Sequence, residues 1–199
     1  KPIYRRETEI KVYRCPFQGQ YVEKMISKVL SPPNFPVKYA DISASITYEE
    51  GCPDTFEIDS IKIVPIRLSH PNGGNGYKFI ENDKTFVFLT DNELGYRHAG
   101  GRPFKDYVEF AANADLLIHD SEYTPEEYRT FIEWGHSEYT EVLKLAQQAD
   151  VKKLGLFHIN QERTDDQMDK MVSTCQQHLD KSGFQIECVG VATDMTFNL

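Results

Sequence analysis

The stretch LLIHDSEYTPEEYRTFIEWGHSEYTEVLKLAQQADVKKLGLFHIN, residues 116–160, decides how this chain folds. It opens on the apolar run LLIHD, a strand by its texture. Thr124-Pro125-Glu126-Glu127 then offers an N-cap, a proline at the first helical position and first-turn acids, so a short helix is expected to about Phe131. Ser137 is placed to cap a second helix, whose apolar positions Val142, Leu143, Leu145, Ala146 and Ala149 share a face. The strand LGLFHI follows. Alternation of strand and helix in this way predicts an α/β domain.

Outward from that stretch the texture differs on the two sides. Downstream, Thr164-Asp165-Asp166-Gln167 is a capping box opening a helix to about Leu179, and IECVGVATDMTFNL closes the chain with one or two strands. Upstream, the runs at 42–49, 55–59, 61–70, 76–81 and 84–91 alternate with period two and predict a largely antiparallel sheet. A glycine-rich loop, GYRHAGGRP (95–103), separates them from a helix near 104–113. The N-terminal part reads as a strand at 10–14, a helix at 21–30 and a stop at SPPNFPV (31–37). No repeat or linker interrupts the chain, so 1–199 is read as one domain.

Composition narrows the class of function. The 199 residues are 40% hydrophobic and carry a formal charge of −9, which argues against a broad surface for nucleic acid or anionic lipid. No run reaches the roughly 18 apolar residues of a membrane span, and the N-terminus has no signal-peptide core, so a cytoplasmic location is expected. Cys15, Cys52, Cys175 and Cys188 are scattered without a Cys-x-x-Cys pair, which points to reduced structural thiols.

Chemistry enters where strands end. LSHP places His70, FLTDNE places Asp91 and LFHIN places His158 directly after apolar runs, where a sheet holds a side chain rigidly at a solvent-accessible edge. Histidine offers a neutral nitrogen and aspartate two oxygens, enough to bridge two divalent ions. Each residue alone also reads as an ordinary hydrogen-bonded histidine or turn-forming aspartate. Their order decides.

The succession LSHPNGGNGYKF, FVFLTDNE, ADLLIHDSEYTPEEY and WGHSEYTEVLKLAQQADVKKLGLFHIN resembles the C-terminal two-thirds of the metallo-β-lactamase fold superfamily, closest to its phosphodiesterase-like branch near ribonuclease Z. The resemblance runs from LSPPNFPV to the final strand. It implies a four-layer αββα sandwich with a dinuclear metal site: His70 on one ion, Asp91 bridging, His158 on the other. In that branch an acid in the segment like IHDSEYT and a histidine in the segment like GHSEYTEVLKLA serve the substrate phosphate; here they are Asp120, where ribonuclease Z has glutamate, and His136. Metal-bridged hydroxide attack, with His136 protonating or stabilising the leaving oxygen and Asp120 orienting it, is the implied chemistry. The superfamily's His-x-His-x-Asp-His string is absent, so the chain is expected to be a fragment that binds metal weakly and is inactive alone.

The expectation is a hydrolase using two divalent ions, zinc first and manganese second, on a cyclic nucleotide or other small phosphodiester, with RNA less favoured and homodimerisation open. Lactam or thioester hydrolysis is the enzymatic alternative, against which His136 and Asp120 count. A metal-free binding or dimerisation module is the third reading. Arg97, His98 and Arg102, in the loop after Asp91, are candidate substrate contacts. His119, inside a strand and alternating away from Asp120, reads as a buried hydrogen-bonded residue.

Overall fold

Residues 2–13, 22–49 and 54–199 are described by the computed structural model, and contacts divide the chain into two units, Lys1–Asp54 and Thr55–Leu199, where the sequence reading takes one domain. Arg14, Cys15, Tyr21 and Cys52 lie outside the described residues. In the first unit β1 (Glu9–Val12) and β2 (Ser45–Tyr48) pair in parallel, Glu9 opposite Ser45 and Val12 opposite Tyr48. Antiparallel pairing is the sequence expectation for the run that holds β2. Side-chain alternation is the same in both directions, and the long crossover carrying α1 (Val22–Val29) allows the parallel one.

The second unit is built on a seven-stranded sheet in simple sequence order: β3 (Phe56–Ile58), β4 (Ile61–Arg67), β5 (Asn75–Glu81), β6 (Lys84–Leu89), β7 (Leu116–Asp120), β8 (Lys153–Phe157) and β9 (Glu187–Gly190). From β3 to β6 neighbours are antiparallel, as the alternating runs predict; from β6 to β9 they are parallel. The change follows from the connections. Short turns join the first four strands, whereas α2 (Phe104–Ala111), α3 (Pro125–Tyr128) with α4 (Tyr139–Gln148), and α5 (Asp165–Lys181) lie between the later ones.

Period-two alternation sorts β6 to β8 onto two faces. Val87, Leu89, Leu117, Leu154 and Leu156 pack with Tyr107 and Ala111 of α2, Val142, Leu145 and Ala146 of α4, and Met171, Cys175 and Leu179 of α5 in one apolar core. Each such fully buried leucine is worth roughly 1.5–3 kcal/mol relative to exposure. The other face carries Phe86, Phe88 and Phe157, the last two 5.5 Å apart between ring centroids, and these rings are only half-buried. Register puts His119 opposite Leu156 and Asp120 opposite Phe157, so the two polar residues of β7 leave the sheet on opposite faces.

Helix starts follow the sequence with one correction. Thr124 and Glu127 form a capping box at α3, and Thr164 and Gln167 form another at α5, which runs two residues past the expected Leu179. Ser137, however, does not cap α4. Glu138 does, its carboxylate accepting from the Thr140 and Glu141 amides, because the Ser137 hydroxyl is committed elsewhere: it donates to Asn92 O at 2.6 Å and accepts from Leu94 N at 3.0 Å. Cys175 and Cys188 are free and buried. Among the described residues no helix is long and apolar enough to cross a membrane.

Candidate metal and catalytic site

Strand direction gathers the site. β6, β7 and β8 are adjacent and parallel, so their C-terminal ends share an edge, and β4, antiparallel to β5 as β5 is to β6, ends there too. Asp91 and His158 lie just past β6 and β8, Asp120 is the last residue of β7, and His136 comes from the loop before α4. One ligand-capable atom of each of these four lies within 4.8 Å of all the others. His70, just past β4, stays outside this group, its ring centroid 5.7 Å from that of His136.

Asp91 (φ 55°) and His158 (φ 52°) both occupy the left-handed backbone region, which side chains with a Cβ avoid. Such geometry persists only where surrounding structure enforces it, and it concentrates at functional sites. Here it turns both side chains onto the shared edge. His158 Nε2 is 3.4 Å from Asp91 Oδ1, and its ring stacks on His136 with centroids 4.6 Å apart.

His136 Nδ1 donates to Asp120 Oδ2 at 2.7 Å; Asp120 is fully buried. Burial pushes the Asp120 carboxyl up, while the hydrogen bond and charge of His136 hold it down. On the imidazole burial is the largest influence and opposes protonation, yet the Asp120 hydrogen bond and the charges of Asp120, Glu122 and Asp91 outweigh it and raise the His136 pKa. The result is a histidine held by one nitrogen and poised to carry a proton on the other.

His119 behaves as its alternation predicts. Buried on the core face, its Nδ1 donates to Asp120 O at 2.6 Å and its Nε2 accepts from Asn92 Nδ2 at 3.1 Å, a pattern only one neutral tautomer satisfies. Burial lowers its pKa to about 4. His70 is also lowered, mainly by burial, and its Nδ1 accepts from Asn72 N at 3.2 Å. That bond leaves the proton of a neutral ring on Nε2.

Sequence reasoning missed the residues that brace this edge. Asn92 is fully buried; it accepts from Ser69 N (2.8 Å), donates through its own N–H to Asp120 Oδ2 (3.1 Å), reaches His119, and takes the Ser137 hydroxyl on its carbonyl. One side chain and its peptide thus join the segments that carry His70, Asp91, Asp120 and His136. Glu93, 1% exposed, accepts from Tyr128 Oη (2.6 Å), Glu133 N (2.8 Å), Gly135 N (2.8 Å) and His98 Nε2 (2.7 Å). A buried carboxylate needs such a shell. Gly135, at φ 101°, must be glycine, since a Cβ there would overlap the ring of His70. The signal available in the sequence was the run Asp91-Asn92-Glu93 directly after a strand, but polarity alone reads as a solvated turn.

The loop candidates divide. His98 turns inward to Glu93, its side chain 8% exposed, rather than outward to a substrate. Arg97 Nε donates to Gly101 O at 3.1 Å, and Arg102 is exposed, 3.9 Å from Asp106. Neither arginine lines the open cavity of about 510 Å³ beside the four-residue group, whose walls include Glu122, Tyr123, Phe131, Trp134, His136 and His158.

The donor set fits a divalent ion. Two imidazoles and two carboxylates are the nitrogen and oxygen ligands that zinc accepts. His158 Nδ1 is buried without a hydrogen-bond partner, 3.5 Å from Glu122 Oε2, so this ring has coordination capacity that the protein itself leaves unused.

No family model matches the chain. The ribonuclease Z of Picrophilus torridus is 41% identical over 178 residues, covering 70% of this chain and 56% of that protein. The ribonuclease Z of Archaeoglobus fulgidus is 30% identical over 148 residues, covering 54% of this chain and 48% of its own. The chain spans about half the length of these curated relatives. Among solved structures, the metallo-β-lactamase fold protein YhfI from Bacillus subtilis matches with a TM-score of 0.64 at 16% identity, covering 96% of this chain and 66% of that one. The fold is the metallo-β-lactamase fold. By sequence, the chain is similar to ribonucleases Z among proteins of that fold.

Proposed function

We propose that this chain forms the catalytic edge of a divalent-metal-dependent hydrolase that cleaves nucleotide phosphodiester bonds. The observation that carries the reading is the convergence of Asp91, Asp120, His136 and His158 within 4.8 Å at one sheet edge, beside an open cavity. The relatives' name, ribonuclease Z, supports the phosphodiester and brings RNA into the substrate range that composition alone disfavours.

Asp91 and His158 are assigned to metal, with His70 as a further ligand once its ring gives up the Asn72 hydrogen bond. Two ions, zinc before manganese, suit these ligands. When bound, such ions polarise a phosphate and make water a nucleophile near neutral pH. The protein's own part is positional and protonic. Asp120 fixes the His136 ring through Nδ1, leaving Nε2 to give a proton to the leaving oxygen or to stabilise charge on the phosphate. Asn92 keeps Asp120 and the Asp91 turn in register while this happens.

The test uses the full-length protein. Metal analysis near two ions per chain and hydrolysis of bis-p-nitrophenyl phosphate are expected. Asp91→Ala retaining parental activity would remove Asp91 from the reaction. His136→Ala is expected to lose turnover while keeping metal; loss of the metal instead makes His136 a ligand, as its place in the four-residue group also allows.

A further inference from the structure

We infer that Trp134 is a stacking platform for the base of the bound nucleotide, an inference that rests on the phosphodiester reading and specifies which part of the substrate the cavity holds. Trp134 is 61% exposed, and its neighbour Ile132 is 46% exposed, although burying an indole is among the larger apolar gains a side chain can make. Its position explains the exposure. Trp134 packs edge-on against Phe131 (centroids 5.2 Å), Phe131 stacks on Tyr123 (4.9 Å, 11° between planes), Tyr123 meets His136 (6.3 Å), and His136 stacks on His158 (4.6 Å). A file of five rings therefore runs from the candidate metal site to the exposed Trp134 on the cavity wall.

Charge assigns the two ends of the cavity. Glu122 sits at the histidine end, 3.5 Å from His158. Among the described residues the rest of the lining adds Glu162 and no lysine or arginine, so away from the histidines nothing attracts a phosphate. The anionic part of a ligand is confined to the His136 and His158 end. What remains for the rest of the ligand is an aromatic wall with two primary amides, Asn160 and Gln161, on the same lining. Amides offer both a donor and an acceptor to the edge of a heterocycle, and exposed aromatic faces bind bases of any identity by stacking. A cavity of about 510 Å³ lies within the usual range for sites that hold a ligand of nucleotide size.

Trp134 is the single tryptophan of these 199 residues, so indole fluorescence of this chain, excited beyond the tyrosine absorption band, reports on this position and needs no turnover. The protein is titrated with adenosine 5′-monophosphate and, in parallel, with ribose 5-phosphate. Quenching or a shift of emission by the nucleotide but not by the sugar phosphate is expected. By calorimetry, Trp134→Ala should weaken the nucleotide about tenfold, Trp134→Phe should hold it within about threefold, and neither should alter binding of the sugar phosphate. Unchanged emission with the nucleotide, equal responses to both ligands, or parental nucleotide affinity in Trp134→Ala each overturn the inference. So does emission that depends on protein concentration and ignores nucleotide, which would place a second copy of the chain over Trp134. Failure of hydrolysis leaves these binding results intact, so stacking and hydrolysis fall separately.

Discussion

Asp91 and His158 face each other across the end of β7 with the same left-handed backbone, at φ 55° and 52°, and with Nε2 and Oδ1 3.4 Å apart. Two strained residues flanking a third strand end in one sheet is an arrangement that stability alone does not favour. Asp91→Gly tests this. Glycine relieves the backbone, and the half-exposed contact with His158 that it removes contributes little. Stability in urea should be held or raised, by up to about 1 kcal/mol, while calorimetric titration with zinc shows weakened binding. A clear loss of stability would mean that Asp91 serves the fold.

The Asp120–His136 pair predicts a pH dependence. Because the carboxylate favours the imidazolium, the His136 pKa is raised, and the protonated ring persists to higher pH than an isolated histidine allows. Asp120→Asn removes the charge and should move the His136 titration, followed by the NMR shift of its ring proton in metal-free protein, to lower pH. In the active full-length enzyme the alkaline limb of the rate profile should move the same way. An unmoved ring titration would dissociate the pair.

Glu93 should be one of the least replaceable polar residues. Glu93→Ala strands donors from Tyr128, Glu133, Gly135 and His98, at a cost of about 3–5 kcal/mol. Glu93→Gln keeps the shape but turns an NH₂ group toward two of those donors, so an intermediate loss is expected. Chemical denaturation of the two variants ranks them, and a Gln variant as weak as Ala would show that charge rather than shape matters.

Acid should loosen the end of the sheet where β6, β7 and β8 begin, through Asp115. It accepts from Lys152 Nζ at 2.8 Å and Thr85 N at 2.9 Å, and chiefly the Lys152 bond lowers its pKa to about 2. A carboxyl depressed on folding stabilises above its unfolded pKa and loses that contribution as pH falls through the folded value. The window is therefore from about pH 4 down to about 2. Lys152 is largely exposed, so the contribution is about 1–2 kcal/mol after screening. Asp115→Asn should flatten this part of the stability profile relative to the parent.

What the sequence made legible was position along strands. His70, Asp91 and His158 stand out because an apolar run stops beside them, and His119 is separable from Asp120 because alternation assigns them to opposite faces. Direction was not legible: the parallel pairing of β1 and β2 leaves the same alternation as an antiparallel one. Bracing was not legible either. Asn92 and Glu93 look like loop residues until the ends of β4 and β7 and the loop before α4 supply their partners. The Ser137 correction has the same cause, since a good capping residue was claimed by a distant carbonyl.

The switch from antiparallel to parallel pairing at β6 leads to an expected order of assembly. The β3–β6 meander closes through short hairpins, whereas β7 and β8 must each wait for a crossover, and contacts distant in sequence form slowly. A chain that has completed only its meander already presents His70 and Asp91 but lacks Asp120, His136 and His158. If Asp91 and His158 hold metal as proposed, a tight site is expected only once the last crossovers have formed.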